Sequence, residues 1–334
     1  MRREPIIKSR ELIARPLLKA LLPIAERRGV SPHQLLKGTH VFDAEIKPSA
    51  GRCSEQDLAY IITAAEQLIG DAQLWPLVVQ SLHQQRLCPA FDCIRYANTF
   101  SAALLYSLRY QTLLHPFILV RPKRLQQRLH IDWLPVSGLS GKHNKTFRDA
   151  CDKLMLALVI HIARNCQVNL SDWRIGVHNP DSLPVSWQTW IGTIDSRPIP
   201  CLSLPMHHLP TNNPTASANN FQQARSFAEL QHETLNTQAP LTEALSWMLK
   251  KAKQGDESSL EELSSALNMS ASTCKRLLAS QGMNFKRLAD YARLKYFLYH
   301  SEAKPHTQAE LAAKLGYSHA NNLRRARRRW LASF

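Results

Sequence analysis

Two short cation-bearing segments near the end of the chain hold the residue types best suited to reading a polyanion. Cys274-Lys275-Arg276-Leu277 and Leu323-Arg324-Arg325-Ala326 carry Lys and Arg, with Asn321 and Asn322 just ahead of the second. Arg suits bidentate contact with guanine and Asn suits adenine, while Thr273, Arg324 and Arg328 suit phosphate oxygens. Each segment follows the same pattern. Leu263-Ser264-Ser265-Ala266-Leu267-Asn268-Met269-Ser270 returns 48 residues later as Leu311-Ala312-Ala313-Lys314-Leu315-Gly316-Tyr317-Ser318. The two leucines of each copy are four residues apart and so share a helix face. Ser264 or Ala312 is small enough for a second helix to cross close by. Asn268 or Gly316 can take the left-handed conformation that ends a helix, and Ser270 or Ser318 then opens the next turn. The pattern predicts two helix-turn-helix motifs, at about 260–281 and 308–330.

The charge of the chain fits that chemistry. Its 334 residues carry a net charge of +16, which points to a polyanionic partner, nucleic acid before a membrane surface. Residues 240–334 hold 16 Lys/Arg against 8 Asp/Glu; the other 239 residues share the same surplus over a much longer stretch. Seven cysteines form no CxxC pair and no Cys/His cluster at zinc spacing, the nearest two being Cys88 and Cys93. They read as reduced thiols of a cytosolic protein. Lys19 and Pro23 break the apolar stretch Leu17–Ala25, making it a poor signal peptide. The run from Leu154 to Ala163 is about half of what a membrane span needs. No membrane association is expected, and the location expected is cytoplasmic.

The elements that must position the cations fall at the end of a two-part chain. Residues 1–210 read as an α+β domain. Helices are expected at Pro16–Arg28, at Leu58–Ile69 behind the cap Ser54-Glu55-Gln56-Asp57, and at Asn98–Leu114. Gly29-Val30-Ser31-Pro32 restarts the chain with a cap and a first-turn proline. Strand-like stretches follow at Phe117–Arg121 and Arg128–Val136, then a long helix at Thr146–Asn165 and short strands at Trp173–Val177 and Pro200–Leu204. Residues 211–239, opening with a polar stretch punctuated by Pro210 and Pro214, are expected to be a linker, with a helix at Phe221–Glu233 inside it. Residues 240–334 read as an all-α domain.

Leu260 to Trp330 resembles the C-terminal DNA-binding domain of the AraC/XylS family of bacterial transcription regulators. The matching stretches are 267–273, 275–282, Phe285, Arg293, 315–318 and Arg325-Ala326 through Arg329-Trp330. Residues 20–210 are similar, more loosely, to the arabinose-binding-type sensor domain of such regulators. The chain departs from the family at Cys274, where Leu is usual, and at Arg327, where a bulky aromatic is usual. The resemblance implies that Ser272, Lys275 and Arg276 face bases from the first recognition helix, and Ala320, Asn321, Asn322 and Arg325 from the second. Ala320 offers only apolar contact, as to a thymine methyl; Asn321 or Asn322 has helix capping as its alternative, and Arg329 has pairing with an acid. Leu263, Leu267, Leu311, Leu315, Leu323 and Trp330 are expected in the core. A helix from Phe285 to about His300 would be a strut between the two motifs, setting their recognition helices in adjacent major grooves about 34 Å apart.

The resemblance further implies double-stranded DNA as partner, RNA polymerase if the protein is an activator, a small-molecule effector of unknown identity and a possible homodimer. In the N-terminal part, Arg121, Lys123, Arg124 and Arg128 suit either an anionic ligand such as a fatty acid or a solvated loop. His207-His208 hints at a metal but lacks a third ligand at regular spacing, so no metal site and no cofactor are expected. An enzyme would need an activated cysteine, a nucleotide loop, paired carboxylates or a Ser-His-Asp arrangement, and none stands out. The expectation is a non-enzymatic, sequence-specific regulator, more an activator than a repressor. An architectural DNA binder without ligand control and a DNA-repair enzyme with this type of domain are the alternatives.

Overall fold

In a computed structural model the chain divides into two compact units, residues 1–236 and 237–334. The structure describes residues 11–13, 15–41, 52–86, 88–115, 117–135, 141–235, 239–256, 258–280, 283–303 and 307–333. Gln281, the end of the first expected motif, lies outside them.

The first unit opens with a strand pair, β1 (Glu11–Ile13) antiparallel to β2 (Arg52–Ser54), and helices α1 (Arg15–Glu26) and α2 (Pro32–Leu36) between them. Helices α3 (Glu55–Ile69), α4 (Leu74–Gln84), α5 (Pro89–Tyr96), α6 (Phe100–Arg109) and α7 (Gln111–Leu114) follow. Their starts are written in the sequence. Ser31 with Gln34 and Ser54 with Asp57 form capping boxes, each hydroxyl accepting from the third backbone N–H and each longer side chain from the cap N–H. Gly70, with φ of 58°, ends α3 in the left-handed conformation.

A five-stranded sheet comes next: β3 (Ile118–Leu125), β4 (Arg128–Pro135), β5 (Arg174–Val177), β6 (Thr193–Ser196) and β7 (Cys201–Pro205). Its order is β3-β4-β7-β5-β6, antiparallel except for the edge pair β5–β6. The β3–β4 hairpin pairs Leu125 with Arg128 and takes its left-handed residue at Gln126. Helix α8 (Gly141–Asn165) runs through the core with Phe147, Cys151, Leu156 and Ile162 buried, packing on α3, α4 and β4. Its apolar run is long for a surface helix because it is covered on more than one side. Short helix α9 (Val185–Trp190) and two 3-10 turns, Pro180–Ser182 and Met206–His208, complete the sheet connections.

Residues 211–235 are part of the first unit and not the linker expected there. Asn213 is buried, its amide donating to the carbonyls of Arg95 (2.7 Å) and Ala97 (2.8 Å). Helix α10 (Ala218–Leu235) packs against α5 and α7, burying Ala224 and Ala228, and Glu229 pairs with Arg109 at 2.8 Å. Polarity and two prolines read as a tether, yet Asn and Thr satisfied the backbone of the preceding helix ends instead.

The second unit is all-helical: α11 (Ala239–Gln254), α12 (Leu260–Ala266), α13 (Ala271–Ser280), α14 (Phe285–Ala303), α15 (Gln308–Lys314) and α16 (Ala320–Ser333). Helix α14 has 19 residues, about 28 Å at 1.5 Å per residue, and packs on α11, α15 and α16. Leu263, Leu311, Leu315, Leu323 and Trp330 are buried as expected, while Leu267 is half-buried.

Candidate nucleic-acid interface and ligand cleft

The two short helix pairs of the second unit, α12–α13 and α15–α16, are built alike down to single hydrogen bonds. Each first helix starts with a capping box, Ser259 with Glu262 and Thr307 with Glu310. These lie in the register of the repeat and belong to it; the Ser/Thr-x-x-Glu spacing was the available signal. Each first helix ends in the same turn. Met269 N–H donates to Ser264 at 3.0 Å and Tyr317 N–H to Ala312 at 2.8 Å, the six-residue closure of a Schellman turn. The left-handed residues are Asn268 (φ 53°) and Gly316 (φ 74°). Ser264 and Ala312 are buried beneath the crossing.

The second helix of each pair turns its cations outward. Helix α13 buries Cys274 and Leu278 and exposes Ser272, Lys275 and Arg276. Ser270 caps it, accepting from Thr273 N–H at 3.2 Å, and its hydroxyl is 2.9 Å from that of Thr273 and 3.0 Å from that of Ser272. Thr273 is therefore partly committed to the cap. Helix α16 buries Leu323, Ala326 and Trp330, an i, i+3, i+7 stripe that leaves Asn321, Asn322, Arg324, Arg325 and Arg328 exposed and Ala320 half-buried. Asn322 donates to Ser318 Oγ at 3.4 Å, a local contact at the helix start. Arg324, Arg325 and Arg328 meet no acidic partner among the described residues.

Two other arginines of α16 are spoken for. Arg329 forms a two-point pair with Asp290 of α14 (2.9 and 3.3 Å), and Asp290 is almost wholly buried. The Asp290 carboxylate raises the Arg329 pKa further. Arg327 lies over the Phe297 ring, 5.2 Å from its centroid, so the stacking surface of an aromatic is supplied by a guanidinium. The thiol at position 274 is fully buried and burial pushes its pKa up, as befits a small apolar filler.

The chain matches no family model. It is 24% identical over 338 aligned positions to the ornithine utilization regulator of Pseudomonas aeruginosa, covering 98% of this chain and 96% of that protein. That relative is a regulator. The likeness runs through both units. A crystal structure of the transcriptional regulator CdpR from the same species aligns over 95% of this chain and 94% of its own at 15% identity, with a TM-score of 0.42.

The first unit holds a cleft of about 450 Å³ between α4, α8 and α9, within the range of small-molecule sites. His83, His161, Arg164, Trp187, Trp190 and Gln80 are among its walls. The Arg164 guanidinium stacks over the Trp190 ring at 4.3 Å, and the rings of His83 and His161 meet edge to face at 4.5 Å. His83 Nδ1 and His161 Nε2 are buried without a hydrogen-bond partner. None of these residues stood out in sequence, since a histidine on an apolar helix face carries no spacing signal. Of the hairpin cations, Arg128 fastens β4 to β7, donating to Ser203 Oγ at 2.7 Å and to the Ser203 and Asp172 carbonyls at 2.8 Å. Among the described residues no helix is long and apolar enough to cross a membrane.

Three histidines with desolvated rings, His115 buried and His83 and His161 half-buried, set a pH dependence. Burial, then the charges of His161 and Arg95, pushes His83 down to about 3. Burial, then Arg95 and Arg164, pushes His161 down to about 4, and burial does the same to His115. A histidine whose pKa falls on folding is neutral in the fold, so the unfolded chain takes up its proton first. Stability is complete above the unfolded value of 6.5 and is lost as pH falls toward 4. For His115, the most buried of the three, the loss between pH 6.5 and 5 is about 2 kcal/mol. A urea midpoint for the first unit that is equal at pH 7.5 and pH 5 would rule this out.

Proposed function

We propose that this protein is a sequence-specific, DNA-binding transcription regulator whose second unit reads DNA and whose first unit senses a small molecule. The observation that carries the reading is the pair of like-built helix-turn-helix units on one strut, each with an outward face of Ser, Lys, Arg or Asn. A single basic helix would serve non-specific binding equally well; two pairs of one design match the repeat of successive major grooves. The name of the full-length relative, an ornithine utilization regulator, supports regulation by a metabolite. The cleft between α4, α8 and α9 is the proposed effector site: neutral imidazoles, a stacked guanidinium and two indoles suit a compact ligand with a carboxylate. Contact with RNA polymerase and dimerisation belong to the same reading through the family resemblance.

In this scheme Arg276 and Arg325 read bases, while Arg324 and Arg328 hold phosphates. Arg276→Ala and Arg325→Ala should each cost about 1–3 kcal/mol in specific affinity and relax base preference at one position. Arg328→Ala should weaken binding to all sequences and reduce the salt slope by about one. Selection of bound sites from a random DNA pool separates these outcomes. Equal affinity for every sequence would make the protein an architectural binder instead.

A further inference from the structure

We infer that the first unit carries a divalent transition-metal site, suited to Zn²⁺, formed by Asp172, His207 and His208. Asp172 lies in the loop from α8 to β5, and the two histidines lie on the 3-10 turn after β7. Folding brings together a carboxylate and two imidazoles that are 35 positions apart in the chain. The donor atoms cluster within 4.8 Å of one another. His208 Nε2 is 2.9 and 3.1 Å from the two carboxylate oxygens, and His207 Nε2 is 3.7 Å from Asp172 Oδ2. Tetrahedral zinc with bonds of about 2.0–2.2 Å places its donors about 3.3–3.6 Å apart. The observed separations bracket that spacing, so a metal needs only small side-chain adjustments.

The ligands stand on backbone that is already fixed. Arg128 donates to the Asp172 carbonyl at 2.8 Å and to Ser203 of β7, and Met206 N–H donates to the Gln127 carbonyl at 2.9 Å. Thr211 N–H then closes on the His208 carbonyl at 3.1 Å. Such anchoring lowers the ordering cost of coordination. A bare ion pair between His208 and Asp172 leaves one feature unused. His207 is largely exposed, yet its ring lies 4.2 Å from that of His208 with its Nε2 toward the same carboxylate. Three protein donors with an exposed side leave coordination positions for water or an added ligand. Imidazole and carboxylate together select Zn²⁺, Co²⁺ or Ni²⁺ over Mg²⁺. A bound ion would clip the loop before β5 to the turn after β7.

The proposal stands apart from the DNA reading and is tested on the full chain stripped with a chelator. Zn²⁺ is titrated calorimetrically into the wild type, His207→Ala, Asp172→Asn and, as a control on an exposed histidine elsewhere, His143→Ala. The wild type and the control should share one site that His207→Ala and Asp172→Asn each weaken at least about 100-fold, more than loss of an outer-shell partner gives. Because His207 is exposed, its replacement leaves the fold intact and any loss is a loss of the ligand. A wild type that binds no Zn²⁺, or a His207→Ala variant that binds it with unchanged stoichiometry and affinity, overturns the assignment.

Discussion

Replacing Asp152 by alanine is expected to lower the stability of the first unit by about 3–5 kcal/mol. Asp152, on α8, is nearly fully buried and accepts three hydrogen bonds: from Trp133 Nε1 of β4, and from the backbone and Nδ1 of His178, each at 2.8 Å. Arg148 Nε donates to the other ring nitrogen of His178 at 3.1 Å, which fixes the imidazole as the Nδ1–H tautomer. One carboxylate thus joins the central helix to strand β4 and to the end of β5. Truncation strands an indole N–H, a backbone N–H and an imidazole N–H at once, and each orphaned donor keeps its full desolvation cost. Asp152→Asn tests the charge separately, because its amide would turn a donor toward a site built only of donors. Trp133→Phe, which removes one donor together with its need, should cost much less. Hydrogen–deuterium exchange on α8 peptides, with a urea series, assigns the loss to this unit. A change below about 1 kcal/mol for Asp152→Ala would mean that the network contributes little.

Asp152 also shows where sequence reading stops. Helix α8 was legible from its apolar run, but nothing in the order Ala150-Cys151-Asp152-Lys153 says that both charges point inward. Their partners are distant: Lys153 pairs with Glu66 of α3, and Trp75 Nε1 donates to the same Glu66 at 2.7 Å. Periodicity reports which face is mostly apolar, and a buried polar residue is tolerated only because of groups that arrive from elsewhere. The same holds for Asp172 beside His207 and His208, and for the imidazoles of the cleft. The second unit was more legible because its determinants are local. Caps, left-handed turn residues and i, i+3, i+7 stripes all fall within ten residues, and the repeat doubled each signal. Its long-range ties, Arg329 to Asp290 and Arg327 over Phe297, were open only as alternatives or departures. The segment 211–235 was misread because polar composition does not distinguish a tether from a chain whose amides cap neighbouring helices.

Gly316→Ala is expected to destabilise the second unit by about 2–5 kcal/mol although it adds only one methyl group. Two effects add. At φ of 74°, any residue with a β-carbon is strained by about 1–2 kcal/mol. A β-carbon at Gly316 would also meet the carbonyl oxygen of Gly255 at 2.5 Å, and that partner is backbone, with no flexible end to swing away. Gly255, itself left-handed at φ of 74°, ends the turn after α11, so the contact joins the first helix pair's bundle to the turn of the second. The equivalent position in the first pair is Asn268, which adopts φ of 53° and is exposed; Asn268→Gly should be nearly silent or mildly stabilising. The second turn is thus pressed against another backbone, while Asn268 in the first turn is exposed. This close approach also bears on DNA reading. If Gly255 and Gly316 set how the two recognition helices stand to one another, Gly316→Ala in a protein that still folds should lose affinity for a two-groove site while keeping it for a half-site. Circular-dichroism melting followed by binding to full and half-length DNA sites separates the two effects. Equal losses on both sites would assign the glycine to stability alone.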